Sequence, residues 1–374
     1  MTGLIVHEWV EGNGGSERVV DDFLATFPDS DVLTLWDDTG GRFGPRTYET
    51  WLAKSPLRKH KALTVPILPA VWRRVRLPRT YEWLLVSSHL FAHHVRLVDQ
   101  PSIPKLVYAH TPARYIWEPE TDSRGRGLLA RAASAGLRPL DRHRAREPLS
   151  IAANSEFTRQ RIIRTWHRDA EVIYPPVDTD MIVAGGDWTA ALSPAEGERL
   201  ERLPRDYLLG ASRFVPYKRL DLVIEAGEAT DTPVVLAGGG SGEPRLRELA
   251  QASTVPVHFV HRPSDVMLLA LYQRARAYIF PAIEDFGIMP VEAMATGTPV
   301  IVQFRGGASE SVRMLSGGVA LEELSARAWR EALAEVSTID RTQLASRTLR
   351  LSRARFQDEV RAWVSRNTPI EEVL

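Results

Sequence analysis

The chain has 374 residues, with 47 basic and 47 acidic side chains and no cysteine. That length favours two domains. Neutral net charge argues against a global affinity for nucleic acid, and the missing cysteines exclude disulfides and thiolate metal sites. No apolar run is long enough to span a bilayer, and the opening MTGLIVHEWV lacks the basic and apolar regions of a signal peptide, so a cytoplasmic protein is expected.

Leu4–Val6 reads as a first strand. The loop Gly14-Gly15-Ser16-Glu17 follows and opens a helical pattern running to Phe27. Backbone N–H groups and the helix dipole would converge on a phosphate there, although an ordinary strand-to-helix turn has the same composition. The spacing is not Gly-x-Gly-x-x-Gly, which argues against a nicotinamide cofactor. Further strands fit Val32–Leu35, Leu84–Val86, Leu106–Ala109, Ile151–Ala153 and Val172–Tyr174, with helical patterns between several of them. This alternation predicts a parallel α/β sheet. His110 ends one strand in Tyr108-Ala-His-Thr-Pro-Ala-Arg-Tyr115, where a side chain can touch a ligand. Lys54–Lys61, Arg73–Arg79 and the arginines from Arg114 to Arg146 form basic segments, with Trp72, Leu77 and Trp83 close by. Such segments suit an anionic acceptor or an anionic membrane surface, or are solvated helix faces. Pro175-Pro176 then breaks the pattern as a linker.

The second half repeats the rhythm, with strands at Tyr207–Gly210, Val234–Ala237, Val257–Val260, Ala277–Phe280 and Pro299–Val302. Two open sheets in tandem predict a ligand cleft at the carboxyl ends of the strands. Arg213 and Lys218 follow the first of these strands, and a guanidinium fork with a point-charge ammonium suits a diphosphate. Lys218 is the only lysine after Lys105 in a chain that otherwise uses arginine. Gly238-Gly239-Gly240 reads mainly as a turn, and His261-Arg262 follows another strand end. Asp178-Thr179-Asp180 is read as structural, and the ten histidines show no zinc spacing.

Two carboxylates then stand eight positions apart in Glu284-Asp-Phe-Gly-Ile-Met-Pro-Val-Glu292. Gly287 allows tight backbone, and Pro290 suits the first turn of a helix. The spacing places Glu284 on a loop and Glu292 in the first helical turn, so that the two can grip hydroxyl-bearing parts of one ligand. Free N–H groups at the helix start would face an anionic part of it.

Glu284-x7-Glu292, Arg213-x4-Lys218, Gly14-Gly15 and Val172-Ile-Tyr-Pro-Pro-Val-Asp178 together resemble family-4 retaining glycosyltransferases of the GT-B fold. Asn154-Ser155-Glu156-Phe157 and Gly306-Gly307-Ala-Ser-Glu310 also look like that family. The resemblance implies an α/β architecture of two Rossmann-like doubly wound domains facing across a cleft. It implies an acceptor-binding domain over 1–176, a nucleotide-sugar-binding domain over 177–349, and a helix over 350–374 returning to the first domain. By the same match, Glu292 would bind ribose and Glu284 the donor-sugar hydroxyls. Backbone near Phe286, Gly287 and Ile288 would face the sugar and diphosphate, Arg213 and Lys218 would neutralise the diphosphate with help from Gly15, and Arg262 would lie by the base. His110 matches the histidine near the reacting sugar, and Arg114 and Tyr115 are expected on the acceptor.

The chemistry implied is hexosyl transfer to a saccharide or lipid-linked hydroxyl, with no cofactor and no metal required, because two cations and a helix N-terminus stabilise the leaving diphosphate. Tyr-Ala-His-Thr-Pro-Ala-Arg-Tyr-Ile-Trp and Gly-Gly-Ser-Glu-Arg-Val look most like bacterial GDP-mannose-dependent mannosyltransferases of polysaccharide biosynthesis. UDP-linked glucose or N-acetylglucosamine is the alternative donor. A sugar-nucleotide 2-epimerase and a non-catalytic sugar-nucleotide-binding module are the rivals of another class. Peripheral contact with an anionic membrane at the inner face of the plasma membrane is a separate expectation.

Overall fold

The computed structural model describes residues 2–12, 14–118 and 128–368. They form two compact units, Met1–Pro176 with Ala354–Leu374, and Val177–Arg353.

The first unit is built on a seven-stranded sheet, all of whose recorded pairings are parallel. Its strands are β1 (Gly3–Val6), β2 (Asp31–Thr34), β3 (Thr47–Glu49), β4 (Trp83–Ser88), β5 (Lys105–Ala109), β6 (Ser150–Ala153) and β7 (Glu171–Val172), in the spatial order β3-β2-β1-β4-β5-β6-β7. Alternation along each strand sends side chains to two separate cores. Leu4 and Val6 join Leu33, Trp72, Val86 and Trp166 on one face. Ile5 joins Phe23, Trp83, Leu85 and Tyr108 on the other. With both faces covered, the central strands read as continuous apolar runs.

The helix Arg353–Asn367 belongs to that second face. Phe356, Val360, Trp363 and Val364 complete its core, and Trp363 Nε1 donates to Ser150 Oγ at 2.9 Å. The last helix of the chain is therefore part of the first unit's hydrophobic layer.

The second unit carries β8 (Leu208–Arg213), β9 (Val234–Gly239), β10 (Val257–His261), β11 (Ala277–Phe280), β12 (Val300–Gln303) and β13 (Gly318–Leu321), ordered β10-β9-β8-β11-β12-β13. Both sheets thus have the doubly wound Rossmann order, which reverses between β1 and β4 and again between β8 and β11. A ligand crevice opens at the carboxyl ends of strands at such a reversal.

Two strands were not legible in advance. Thr47–Glu49 is short, with no apolar run. Gly318–Leu321 begins on a glycine, where a Cβ would stand 1.8 Å from the carbonyl oxygen of Val300. The basic segments also differ from expectation. Trp72 and Trp83 are buried in the two cores, not set among the cations. Arg58, Lys61, Arg73, Arg76 and Arg79 are paired with Asp38, Glu11, Glu147, Asp99 and Asp31. Arg124 and Arg126 lie outside the described residues.

Candidate functional site

In the second unit, three chain segments converge at the reversal point. Arg213 is the last residue of β8, and Lys218 closes the 3-10 turn Pro216–Lys218 just beyond it. Glu284 lies on the loop after β11, the strand paired with β8. The Lys218 ammonium forms an ion pair with the Glu284 carboxylate and is nearly buried, over the rings of Tyr217 and Phe280. Arg213 is exposed, and among the described residues its Nη2 donates only to Tyr217 Oη, at 3.0 Å. Among the described residues, the site therefore holds one cation neutralised by a carboxylate and a second with no carboxylate partner.

The loop that presents Glu284 is fixed by the glycines that follow β12. Gly307 N–H donates to Glu284 C=O at 2.8 Å, and a Cβ on Gly307 would come 2.0 Å from the Asp285 carbonyl oxygen. Gly287 has φ +89°, and the helix Ile288–Ala295 starts directly after it. Glu292 is consequently the fifth helical residue, in the second turn and not the first. Pro290 takes the third position, where its missing N–H still costs no hydrogen bond. Phe286 is buried, so only its backbone can face a ligand. Burial chiefly, with the Glu284 and Glu292 charges adding to it, pushes the Tyr278 hydroxyl well up.

Arg262 stands at the end of β10, an edge strand two places from β8, with φ +42° and its N–H on Gly238 C=O at 2.8 Å. The triple glycine is a packing device: a Cβ on Gly238 would meet the Ser212 carbonyl oxygen at 1.9 Å. A cavity of about 690 Å³ lined by Phe214, Ile224, Arg245 and Leu249, among others, includes none of the expected donor residues.

In the first unit, His110 follows β5 at the carboxyl edge. Its Nε2 lies 2.8 Å from Ser87 Oγ, which lies 3.0 Å from His7 Nδ1. Burial, then the neighbouring His89 and His7, holds the His110 imidazole well below its usual range, so the ring is neutral. Glu8 is fully buried. Burial opposes its charge, but His89, His7 and backbone N–H groups outweigh it and keep it ionised. Arg114 and Tyr115 sit half-buried in the one-turn helix Arg114–Trp117. Gly14 caps the helix Gly15–Thr26, and a Cβ there would meet the Glu17 carboxylate at 1.8 Å. Glu17 is buried and accepts from Glu11 N–H at 3.0 Å and Ser16 Oγ at 2.9 Å. A carboxylate of the chain itself therefore lies against the loop expected to meet phosphate.

Sequence reasoning passed over His7, Glu8, Ser87 and His89. Their signal is local: His7-Glu8 and Ser87-Ser88-His89 sit at or just beyond the ends of the two strands that flank the reversal.

The comparisons fit this geometry. Residues 197–348, within the second unit, match the family model for glycosyl transferases group 1. A D-inositol 3-phosphate glycosyltransferase of Salinispora tropica is 31% identical over 205 residues, covering 49% of this chain and 42% of that protein. The D-rhamnosyltransferase WbpZ of Pseudomonas aeruginosa is 32% identical over 155 residues, covering 40% of this chain and 39% of that protein. The matched stretch thus spans less than half of each of these two relatives. Across nearly the whole chain, the fold is that of Anabaena Alr3699/HepE, solved in complex with UDP: TM-score 0.67, 17% identity, 98% of this chain and 100% of that one. Sucrose-phosphate synthase of Thermosynechococcus elongatus superposes with TM-score 0.66 at 16% identity, over 97% of each chain. The architecture is GT-B.

Proposed function

We propose that this protein is a retaining hexosyltransferase that moves a sugar from a nucleotide-sugar to an acceptor hydroxyl. The observation that carries the reading is the Arg213, Lys218 and Glu284 group at the sheet reversal of a unit matching glycosyl transferases group 1. Cleaving the bond from anomeric carbon to phosphate oxygen builds negative charge on the diphosphate. Arg213 and Lys218 offset that charge as it grows, and the start of the helix Ile288–Ala295 adds its free N–H groups. Glu284 orients the sugar hydroxyls and Glu292 the ribose. The acceptor oxygen bonds to the anomeric carbon on the face the phosphate leaves, and its proton passes to the departing phosphate oxygen. His110, neutral, offers a hydrogen bond near the reacting sugar.

The donor we assign is GDP-mannose, on the motifs around His110 and Gly14-Gly15. A UDP-sugar is the second reading, favoured by the fold shared with a protein solved with UDP-glucose at TM-score 0.65. Calorimetry with GDP-mannose, UDP-glucose and UDP-N-acetylglucosamine, followed by product analysis with saccharide and lipid-linked acceptors, tests both. Binding without any transfer points to a non-catalytic module, and release of an isomerised sugar points to an epimerase. For a membrane-borne acceptor, support comes from Trp51, 59% exposed, in a segment that also exposes Lys54 and Lys59. Sedimentation with anionic liposomes at low salt checks that contact.

A further inference from the structure

At the reversal point of the first sheet, three polar side chains meet that the transfer chemistry does not use. His7 and Glu8 follow β1 directly, and His89 follows β4, its partner in the sheet. His7 and Glu8 are fully buried, while the His89 side chain keeps 24% of its surface. One nitrogen or oxygen from each lies within 4.8 Å of the others.

Hydrogen bonding accounts for part of this cluster and leaves a defined remainder. Glu8 Oε1 accepts from the backbone N–H of His89, Leu90 and Ala92 at 3.2, 2.8 and 3.0 Å. Its Oε2 has no hydrogen-bond partner among the described residues. His7 uses Nδ1 on Ser87 and leaves Nε2 without one. His89 Nδ1 stands 3.3 Å from Glu8 Oε2, yet is not aligned to donate to it. Three buried polar atoms without a hydrogen-bond partner among the described residues are costly unless something fills the space between them.

A tetrahedral zinc ion bound at about 2.0–2.1 Å sets its ligand atoms about 3.3 Å apart. The Nδ1 to Oε2 spacing has that value. The other histidine–carboxylate cluster makes the contrast. There His93 Nε2 and His94 Nδ1 also lack hydrogen-bond partners among the described residues, but Asp141 accepts from His94 Nε2 at 3.0 Å and from the indoles of Trp117 and Trp166 at 2.7 Å each, so both carboxylate oxygens are satisfied.

We propose that His7 Nε2, Glu8 Oε2 and His89 Nδ1 bind one divalent ion of the zinc class, with a fourth position open to water or a ligand oxygen on the exposed side of His89. Two imidazoles and a carboxylate suit zinc over magnesium or calcium. The ion stands in the first unit, whereas the diphosphate cations belong to the second. The proposal is independent of the transfer reading, because metal content is measured without turnover.

The test uses the full chain without an affinity tag. Metal content by mass spectrometry, zinc affinity by chelator competition, and the visible spectrum of a cobalt-substituted sample are compared for wild type, His7→Gln, His89→Ala and His94→Gln. Wild type and His94→Gln are expected to bind about one equivalent, with the tetrahedral cobalt bands. His7→Gln and His89→Ala are expected to lose at least ~100-fold in affinity. His89→Ala, with its partly exposed side chain, is the variant that keeps the fold, checked by circular dichroism. No uptake by wild type at micromolar free zinc, or equal affinity of a folded His89→Ala, overturns the proposal. Loss of uptake in His94→Gln alone moves the site to Asp141 and overturns it too.

Discussion

The Lys218 ammonium is paired with the Glu284 carboxylate, 66 positions later in the chain. The pair joins the turn after β8 to the loop after β11, so the groups proposed to bind the diphosphate and the sugar are positioned by one contact. On the proposed function, Lys218→Ala removes a charge from the leaving-group side of the reaction. Turnover is expected to fall by about a hundredfold or more, as for loss of one transition-state contact. Near-normal turnover in steady-state assays with the cognate donor rejects the assignment. Glu284→Gln keeps the shape of the loop and should weaken donor affinity as well as turnover.

Ser87 holds His110 in the first unit, with Oγ 2.8 Å from Nε2. Ser87→Ala frees the ring to rotate. A catalytic group displaced by about 1 Å costs on the order of a hundredfold. The expected result is a lower kcat with little change in donor KM and an unchanged melting temperature. A parallel fall in stability instead would mark Ser87 as a packing residue only.

Gly307 has φ −67°, in the ordinary helical range, so alanine there is penalised by contact alone. A Cβ would stand 2.0 Å from the Asp285 carbonyl oxygen. Gly307→Ala should cost about 1–3 kcal/mol and shift the Glu284 loop. Urea unfolding and donor calorimetry read the two effects, and an unperturbed donor affinity would show that the loop position does not set binding.

Acid stability should turn on His94. Burial, then the adjacent His93, pulls its imidazole down to about 4 from an ordinary 6.5. The unfolded chain therefore binds the proton first, so the stability is fully present above about pH 6.5 and is lost as pH falls toward 4. The loss is about 3 kcal/mol in order of magnitude. Asp141 continues the trend at lower pH: burial opposes its charge, but the two imidazoles hold it well below the usual carboxylate range. Urea midpoints measured from pH 7 to 4.5 should fall in wild type and flatten in His94→Gln. Identical pH profiles for the two proteins refute the account.

Trp363 is fully buried and donates to Ser150. Trp363→Ala should destabilise the first unit by about 3–5 kcal/mol. Hydrogen exchange that accelerates only in the last helix, with the sheet unaffected, would contradict its place in the core.

The linear pattern determined most of the architecture. Apolar runs of three or four residues alternating with helical periods pointed to the parallel sheets, because a strand covered on both faces must be apolar throughout. The residues proposed for the donor side stand in two short segments, Glu284, Gly287 and Glu292 in one and Arg213 and Lys218 in the other, so the sequence offers them together. Glu292 was misplaced by a turn because the start of the helix is set by the backbone of Gly287, which composition does not record. Thr47–Glu49 carries no apolar run, and Gly318–Leu321 opens on a glycine; both pair because a neighbouring strand offers them an edge.

What the tertiary structure alone decided is the pairing of groups distant in sequence. Lys218 meets Glu284, Ser87 meets His110, and Glu8 meets His89 across more than eighty residues because β1, β4 and β5 lie side by side, as do β8 and β11. Strand order is set by how whole layers bury their faces, a sum over the domain that no local spacing contains. The same sum placed Trp72 and Trp83 in the cores, and left the orphaned atoms of His7, Glu8 and His89 pointing at one another.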